Sequence, residues 1–342
     1  MKQWRFIVPA LALLLASWSA VSEEGWGWRG QIRERMAQRQ AARAERESPS
    51  ANPAEAWGAG DYEASLSHQG ERRAYLVHVP ANYVPGRPVP LVLAFHGGGG
   101  HAAYMAEDAR YGWISEADRG GFVVAFPNGY SRLPRGRFAT WNAGACCGDA
   151  RDRGVDDVGF VRAVVADISQ RLSIDRKAVF AAGMSNGGML SHRLACDAAD
   201  VFRAVASVAG TDATTACNPA RPISVLHIHA RDDDHVLFAG GAGPGAFRDE
   251  SKVMDFVSVP ETVARWVRRD QCSTKPQRVY QQAGAYCDRH TACSGGVSVE
   301  LCVTEQGGHS WPGAERARGG KGAPSQALNA TETIWAFFRQ AP

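Results

Sequence analysis

The amino-acid sequence predicts an α/β protein with a doubly wound, mostly parallel β-sheet. Continuous apolar runs of strand length recur along the chain, and such runs are typical of strands buried on both faces. Helical patterns separate these runs, as expected of successive βα units. The composition agrees, because 45% of the 342 residues are hydrophobic and 21% are charged, which excludes a disordered or collagen-like chain.

Residues 1–22 have the pattern of a secretory signal peptide. Basic residues flank the start of an apolar run at 6–15 that is too short to span a bilayer. Ala20 and Ser22 are small residues at the −3 and −1 positions of a cleavage after Ser22. An uncleaved membrane anchor is the alternative. We therefore expect a secreted protein, extracellular or periplasmic, without a stable membrane anchor.

Residues 23–60 differ in composition from the rest of the chain. Arg, Glu, Ala and Gln alternate over 31–47, and Ser, Pro and Ala dominate 48–54. This composition predicts a short charged arm followed by a linker; a solvated tail without a role is the alternative. The folded domain is expected over 61–342, a length that suits one α/β domain.

The net charge gives no indication of a polyanionic partner. The chain has 38 Lys and Arg against 35 Asp and Glu, a formal charge of +3, and loss of Lys2 and Arg5 with the leader leaves +1. Nucleic-acid binding usually shows as clustered basic residues. We therefore expect no nucleic-acid partner, and we expect a monomer.

A hairpin opens the predicted sheet, with its turn at Gln69-Gly70. The expected strands, in chain order, are 62–67, 74–79, 90–95, 122–126, 178–182, 204–208, 223–229 and 297–303. Helical patterns occur at 105–118, 156–172, 187–195, 260–268 and 326–339. The helix at 156–172 is expected to have Asp156 or Asp157 as its N-terminal cap.

The strongest local signal is the G-x-S-x-G pentapeptide at 183–187. An apolar strand enters it and a helical segment leaves it, which predicts that Ser185 lies on a sharp turn with its hydroxyl above the sheet edge. Gly183 and Gly187 are needed because a Cβ would clash in so tight a turn. A serine hydroxyl is a weak nucleophile at neutral pH, so it needs a base and a group that orients the base.

The base and the acid are expected later in the chain, in the order Ser, acid, His. His309 follows two glycines on a loop after the last predicted strand, and we expect it to be the base. The acid lies among Asp232, Asp233 and Asp234, which follow the strand at 223–229 and so meet the carboxyl edge of the sheet. Spacing alone does not choose among the three carboxylates.

A glycine-rich loop at 96–100 follows the strand at 90–95. Its backbone N–H groups can approach a substrate oxygen, and the N–H of Asn186, directly after the serine, is a second donor. Together they predict an oxyanion hole. His96, at the strand end, is expected to be structural.

The other histidines have plainer interpretations. His227 and His229 alternate on one strand and share a face, which is compatible with a metal site. Strand histidines that bond to neighbouring loops are commoner, so we expect no metal. His101 and His235 are expected on loops near solvent.

Taken together, these residues resemble the secreted esterase family of single-domain poly(3-hydroxybutyrate) depolymerases and feruloyl esterases. The resemblance covers about 61–340 and rests on five motifs in order, at 96–100, 141–148, 155–160, 183–188 and 308–312. It implies an α/β-hydrolase catalytic domain, a serine esterase that works through an acyl-enzyme, and an ester substrate that is polymeric or small. It implies no cofactor.

The resemblance also assigns roles to particular residues. Its His-Gly-x-x-Asp-x-x-Val segment selects Asp233, four residues after His229, although Ala230 replaces the usual glycine. Gly98 is the implied loop donor, with Gly97 as the alternative. The implied catalytic triad is Ser185, Asp233 and His309.

Trp141 and Trp311 are the aromatic residues expected beside Ser185 as substrate-binding groups, because both lie in motif loops and not in helical stripes. Met184 and Tyr104 are further candidates. The substrate stays open among aliphatic polyesters, feruloylated polysaccharides and other aryl or acetyl esters. A non-catalytic polymer-binding homologue and a peptidase are the alternative classes.

Eight cysteines in an exported chain predict disulfides. We expect Cys196 to pair with Cys217, and the adjacent Cys146 and Cys147 either to pair with each other or to remain thiols. Two bridges are expected among the four C-terminal cysteines, Cys272, Cys287, Cys293 and Cys302. Zinc is the rival interpretation, but the spacings do not match the usual Cys-x₂₋₄-Cys pairs.

Overall fold

The computed structural model describes residues 55–133, 136–246, 254–316 and 323–342. The leader predicted at 1–22 and nearly all of the arm predicted at 23–60 lie outside the described residues. The domain extends slightly upstream of position 61, because Trp57 is buried and stacks on Tyr62 with ring centroids 4.6 Å apart. The backbone N–H of Trp57 also donates to the carbonyl of Arg171 at 3.2 Å.

Among the described residues, ten strands form one sheet in the order β1-β2-β4-β3-β5-β6-β7-β10-β9-β8. The strands are β1 (Gly60–His68), β2 (Glu71–Val79), β3 (Val89–Phe95), β4 (Val123–Pro127), β5 (Ile174–Met184), β6 (Ala204–Val208), β7 (Ser224–Ala230), β8 (Gln277–Gln282), β9 (Ala285–His290) and β10 (Val299–Thr304). Strands β3 to β7 and β10 run parallel, and an antiparallel hairpin closes each edge. The predicted doubly wound α/β architecture is confirmed.

Helices cover both faces of the sheet. They are α1 (Ala102–Met105), α2 (Asp108–Tyr111), α3 (Trp113–Gly120), α4 (Gly148–Asp152), α5 (Asp157–Arg171), α6 (Asn186–Asp197), α7 (Val259–Arg269) and α8 (Ala330–Gln340). One apolar core packs under α5, α6 and α7, and a second packs under α3 and α8. None of the helices in the described part of the chain is both long and apolar enough to cross a membrane.

Three differences from the predicted elements have physical causes. The helix predicted at 105–118 is divided among three short helices, and Gly112, in a left-handed conformation (φ 66°), separates α2 from α3. Strands β8 and β9 were not predicted, because β8 is an exposed edge strand of mainly polar residues without an apolar run. The helix predicted to start at 326 starts at Ala330, where the Asn329 side chain caps it by accepting from the N–H of Glu332.

The structure contains the predicted Cys196–Cys217 pair and two bridges among the C-terminal cysteines, and it decides the pairings that the sequence left open. Cys196 bonds to Cys217, and the adjacent Cys146 and Cys147 bond to each other. The two C-terminal bridges are Cys272–Cys293 and Cys287–Cys302. The last bridge joins directly opposed residues of β9 and β10, so it ties the antiparallel edge to the parallel strands.

A buried carboxyl group follows α7. Asp270 is fully buried, and its Oδ1 accepts from the N–H of Ile223 at 3.3 Å. Its Oδ2 has no hydrogen-bond partner among the described residues. Burial raises the pKa of Asp270 to about 7, and Ile223 and the nearby Arg269 offset only part of that effect.

We expect Asp270→Asn to raise the melting temperature more at pH 8 than at pH 5. Because the folded pKa is near 7 and the unfolded value is about 4, the wild type loses stability as the pH rises through that window. The asparagine has no charge to desolvate at pH 8. Thermal unfolding by circular dichroism at the two pH values is the measurement, with exposed Asp255→Asn as the control. An equal change at both pH values would contradict the assignment.

Candidate active site

Ser185 lies at the turn between β5 and α6. Its backbone has φ 54° and ψ −121°, a region that is costly for a residue with a Cβ. Two hydrogen bonds hold this conformation, since Ser185 N–H donates to Val208 O at 2.8 Å and Met189 N–H donates to Ser185 O at 2.9 Å. The side chain of Ser185 lines a cavity of about 830 Å³.

Glycines surround this turn for steric reasons. A Cβ on Gly183 would lie 2.3 Å from the backbone of Gly187, and a Cβ on Gly187 would lie 2.4 Å from the carbonyl oxygen of Phe95. A Cβ on Gly210 would lie 2.2 Å from the carbonyl oxygen of Ser185. The predicted need for Gly183 and Gly187 is confirmed, and Gly210 is a third position that the pentapeptide did not reveal.

Asp233 is the carboxylate that meets His309. Its Oδ2 and Oδ1 lie 2.8 Å and 3.1 Å from Nδ1 of His309. Its Oδ1 also accepts from the N–H groups of His235 and Val236 at 2.8 Å and 2.9 Å. Burial alone would raise the pKa of Asp233, but His309 and a bond from His229 outweigh it and hold this pKa well below its usual range. The group is therefore a carboxylate at neutral pH.

Asp232 has a different partner. It accepts from the N–H of Gly307 at 3.3 Å and from the N–H of Gly308 at 2.8 Å. These bonds hold the loop that carries His309. Spacing along the chain did not show which aspartate meets His309. The structure shows that it is Asp233, because the side chain of Asp232 faces Gly307 and Gly308 instead.

His235 is a site residue that the sequence did not predict. Its ring stacks on that of His309 with centroids 4.4 Å apart and an interplanar angle of 14°, and its Nδ1 lies 2.6 Å from Oδ1 of Asp234. Burial and the neighbouring His309 lower the pKa of His235, against the opposing effect of Asp234. Ligand atoms of Asp233, His235 and His309 lie within 4.8 Å of one another, and hydrogen bonds to carboxylates occupy Nδ1 of both rings. The only sequence signal was adjacency to the acidic run.

The predicted oxyanion donors lie on the same cavity wall as Ser185, since both Gly98 and Asn186 line it. Asn186 is the first residue of α6, where backbone N–H groups have no acceptor within the helix. His96 supports the glycine loop, because its Nε2 accepts from Gly129 N–H at 3.0 Å and its Nδ1 donates to Gly97 O at 2.9 Å. The structural role predicted for His96 agrees with these bonds.

Trp141 does not lie where the sequence placed it. It is fully buried and is not among the described residues that line the cavity. Its backbone N–H donates to Oδ1 of Asn186 at 2.7 Å, and Nδ2 of Asn186 donates back to its carbonyl at 2.9 Å. Its indole N–H donates to His96 O at 2.9 Å. The residue braces the serine turn against the glycine loop, and the expectation of substrate contact is corrected.

The other predicted substrate-binding residues do line the cavity. Met184 and Trp311 both contribute to its wall. Trp311 is mostly buried, with its indole N–H donating to Thr331 Oγ1 at 2.9 Å. Tyr111 packs edge-on against Trp311, and Tyr104 packs edge-on against Tyr111. These aromatic rings form one side of the cavity, which we call the aromatic wall (Tyr104, Tyr111 and Trp311).

The structure decides which of Asp156 and Asp157 is the N-terminal cap of α5. Asp156 caps α5 by accepting from Gly159 N–H at 2.8 Å. Asp157 is fully buried, where it pairs with Arg73 at 2.6 Å and accepts from Asn142 N–H at 2.8 Å. Asp157 therefore anchors the loop that carries Trp141.

The fold and the strained serine turn define an α/β-hydrolase. The chain matches the family model "Esterase PHB depolymerase" over residues 74–249. It therefore belongs to the Esterase PHB depolymerase family.

Curated relatives and a solved structure agree with this membership. Feruloyl esterase B of Piromyces equi is 30% identical over 70% of this chain, which spans only 42% of that protein's length. NocK of Nocardia uniformis subsp. tsuyamanensis is 31% identical, with 71% of this chain and 72% of that protein covered. The structure of acetyl xylan esterase from Aspergillus awamori shares the fold, with a TM-score of 0.52, 13% identity, and coverage of 81% of this chain and 99% of that one.

We expect Gly187→Ala to lower the free energy of unfolding by about 1–3 kcal/mol, the usual range for overpacking. The added Cβ meets the backbone of Phe95, which cannot move without shifting β3. Urea denaturation measures the change. Gly58→Ala is the matched control, because a Cβ at Gly58 meets no heavy atom within 4 Å. Equal stability of the two variants would disprove the steric account of this turn.

Proposed function

We propose that the protein is a serine esterase in which Ser185, Asp233 and His309 form the catalytic triad. The observation that carries the proposal is the buried Asp233 carboxylate 2.8 Å from Nδ1 of His309, with His309 and Ser185 on the wall of one cavity. Because Nδ1 faces the carboxylate, Nε2 is the nitrogen free to accept the serine proton. Membership of an esterase family supports the same conclusion.

The arrangement supports acyl transfer in two steps. Ser185 Oγ attacks the ester carbonyl while Nε2 of His309 takes its proton, and Asp233 stabilises the resulting imidazolium. The N–H groups of Gly98 and Asn186 hold the oxyanion. His309 then protonates the departing alcohol. A water molecule, activated by the same base, releases the acid from the acyl-enzyme.

We infer that the preferred substrates are aryl carboxylic esters of the feruloyl type. The aromatic wall contributes flat rings and Met184 contributes a polarisable thioether to the cavity that Ser185 lines, and aromatic rings pack well against both. The name of the Piromyces equi relative points to the same substrate class. An aliphatic polyester is the second candidate, favoured by the description of the family model.

We further propose that the protein is exported and acts as a monomer. Four cysteine pairs at bonding positions favour an oxidising compartment. The proposed triad and both oxyanion donors come from one chain, so the chemistry needs no partner subunit.

Replacing the nucleophile tests the mechanism. We expect Ser185→Ala to lower kcat/KM for p-nitrophenyl acetate by a factor on the order of 10⁴ or more, as loss of a triad serine does elsewhere. Ser169→Ala is the control, because this serine lies on α5 and its hydroxyl donates to Val165 O in the same helix. Equal rates for Ser185→Ala and wild type would refute the proposal, and a serine-reactive phosphonate should label only proteins that retain Ser185.

A substrate comparison tests the proposed specificity. We expect kcat/KM for methyl ferulate to exceed that for methyl acetate, because only the aryl acid has a ring that can pack against the aromatic wall. Trp311→Leu should reduce this preference. Trp335→Leu is the remote control, because Trp335 is a residue of α8 that packs into the second apolar core. Release of product from poly(3-hydroxybutyrate) film without activity on methyl ferulate would instead select the polyester.

A further inference from the structure

Three buried histidines connect α7 to the proposed catalytic acid. The indole N–H of Trp266 lies 3.0 Å from Nδ1 of His192, and Nε2 of His192 lies 3.4 Å from Nδ1 of His227. Nε2 of His227 lies 3.0 Å from Nδ1 of His229. Nε2 of His229 lies 2.8 Å from Val236 O and 3.3 Å from Oδ2 of Asp233. We call these residues the histidine chain (Trp266, His192, His227 and His229).

The two ends of the histidine chain impose the same direction on its hydrogen bonds. An indole N–H can only donate, so Nδ1 of His192 is an acceptor and Nε2 carries the proton. A carbonyl oxygen can only accept, so Nε2 of His229 is a donor. His227 then donates from Nε2 and accepts at Nδ1. All three rings are therefore in the Nε2–H tautomer, and each donates toward Asp233.

Burial keeps the rings of His192 and His227 neutral. His192, His227 and His229 are each at most 1% exposed. Burial lowers the pKa of His192 to about 4, and it lowers the pKa of His227 well below its usual value. Charged groups lie at both ends: Asp233 beside His229, and the Asp212–Arg269 ion pair near His192.

The rings do not converge as metal ligands do. His227 faces His192 with its Nδ1 and His229 with its Nε2, so the three imidazoles form a line. The carbonyl of Gly210 is a second acceptor for the ring of His192. In such a line the tautomer of each ring fixes the tautomer of the next, whereas a bound ion would need the ring nitrogens to converge on one point.

We propose that His229 is a positioning residue for Asp233, with its donor tautomer set by the histidine chain; this inference rests on the proposed function. His229 holds the acid in two ways. Its Nε2–H faces Oδ2 directly, and it binds the carbonyl of Val236, whose own N–H donates to Oδ1 of Asp233 at 2.9 Å. The carboxylate is thus fixed toward His309, and an imidazole N–H faces part of its negative charge.

Nitrogen NMR of the wild-type protein labelled with ¹⁵N-histidine tests the chain without reference to activity. Long-range ¹H–¹⁵N correlations distinguish protonated from unprotonated imidazole nitrogens. We expect His192, His227 and His229 each to show a protonated Nε2 and an unprotonated Nδ1 from pH 6 to pH 9. A protonated Nδ1 on His227 or His229 would overturn the proposal.

Substitution of His229 tests its effect on the acid. We expect His229→Leu to lower kcat by a factor of about 10–100, the range seen when a supporting hydrogen bond is lost. The acidic limb of the kcat/KM profile should move to higher pH, because a carboxylate with one donor fewer holds the His309 proton more firmly. His229→Gln, whose amide N–H occupies the place of Nε2–H, should restore both properties in large part.

The outcomes separate this inference from the proposed function. If Ser185→Ala abolishes activity while a folded His229→Leu keeps the wild-type kcat and pH profile, the positioning role is wrong and the triad stands. A loss of rate in His229→Leu with an unmoved acidic limb and no rescue by glutamine indicates a packing role alone and also refutes the inference. If His229→Leu does not fold, the tautomers of the wild type decide the question.

Discussion

The backbone conformation of Ser185 is the constraint on which the site depends. A residue with a Cβ is held at φ 54° only because β5, α6 and the strand ends of β3 and β6 leave no room for another path. The same crowding makes Gly183, Gly187 and Gly210 necessary. It also brings the start of α6 beside the glycine loop after β3, so one steric requirement places the proposed nucleophile and both proposed oxyanion donors.

Asp233, the proposed catalytic acid, is a second residue around which the site is organised. A buried carboxylate is unfavourable unless donors surround it, and Asp233 receives them from three parts of the chain. The loop supplies the N–H groups of His235 and Val236, the C-terminal loop supplies His309, and β7 supplies His229. Each donor compensates for burial, and each also restricts the direction in which the carboxylate faces.

Local pattern predicted most of the sheet and much of the site, because apolar period and turn chemistry are properties of neighbouring residues. The serine turn, the histidine loop and the glycine loop could all be predicted on that basis. Strand β8 could not, since its pairing with β9 depends on the sheet edge and not on an apolar run. The prediction that Trp141 binds substrate was wrong for a similar reason. A tryptophan in a motif loop can bind a ligand or support a turn, and which of the two it does depends on the residues that pack around it.

The sequence by itself determined the α/β class, the strand–turn–helix at Ser185 and the order of the chemical groups, because these follow from spacing along the chain. The tertiary structure decided which of three adjacent aspartates meets His309, where His235 stacks, and how His192 on α6 aligns with His227 and His229 on β7. These relations join residues far apart in sequence. Their direction and distance depend on how helices and loops pack against the sheet, which no local pattern encodes.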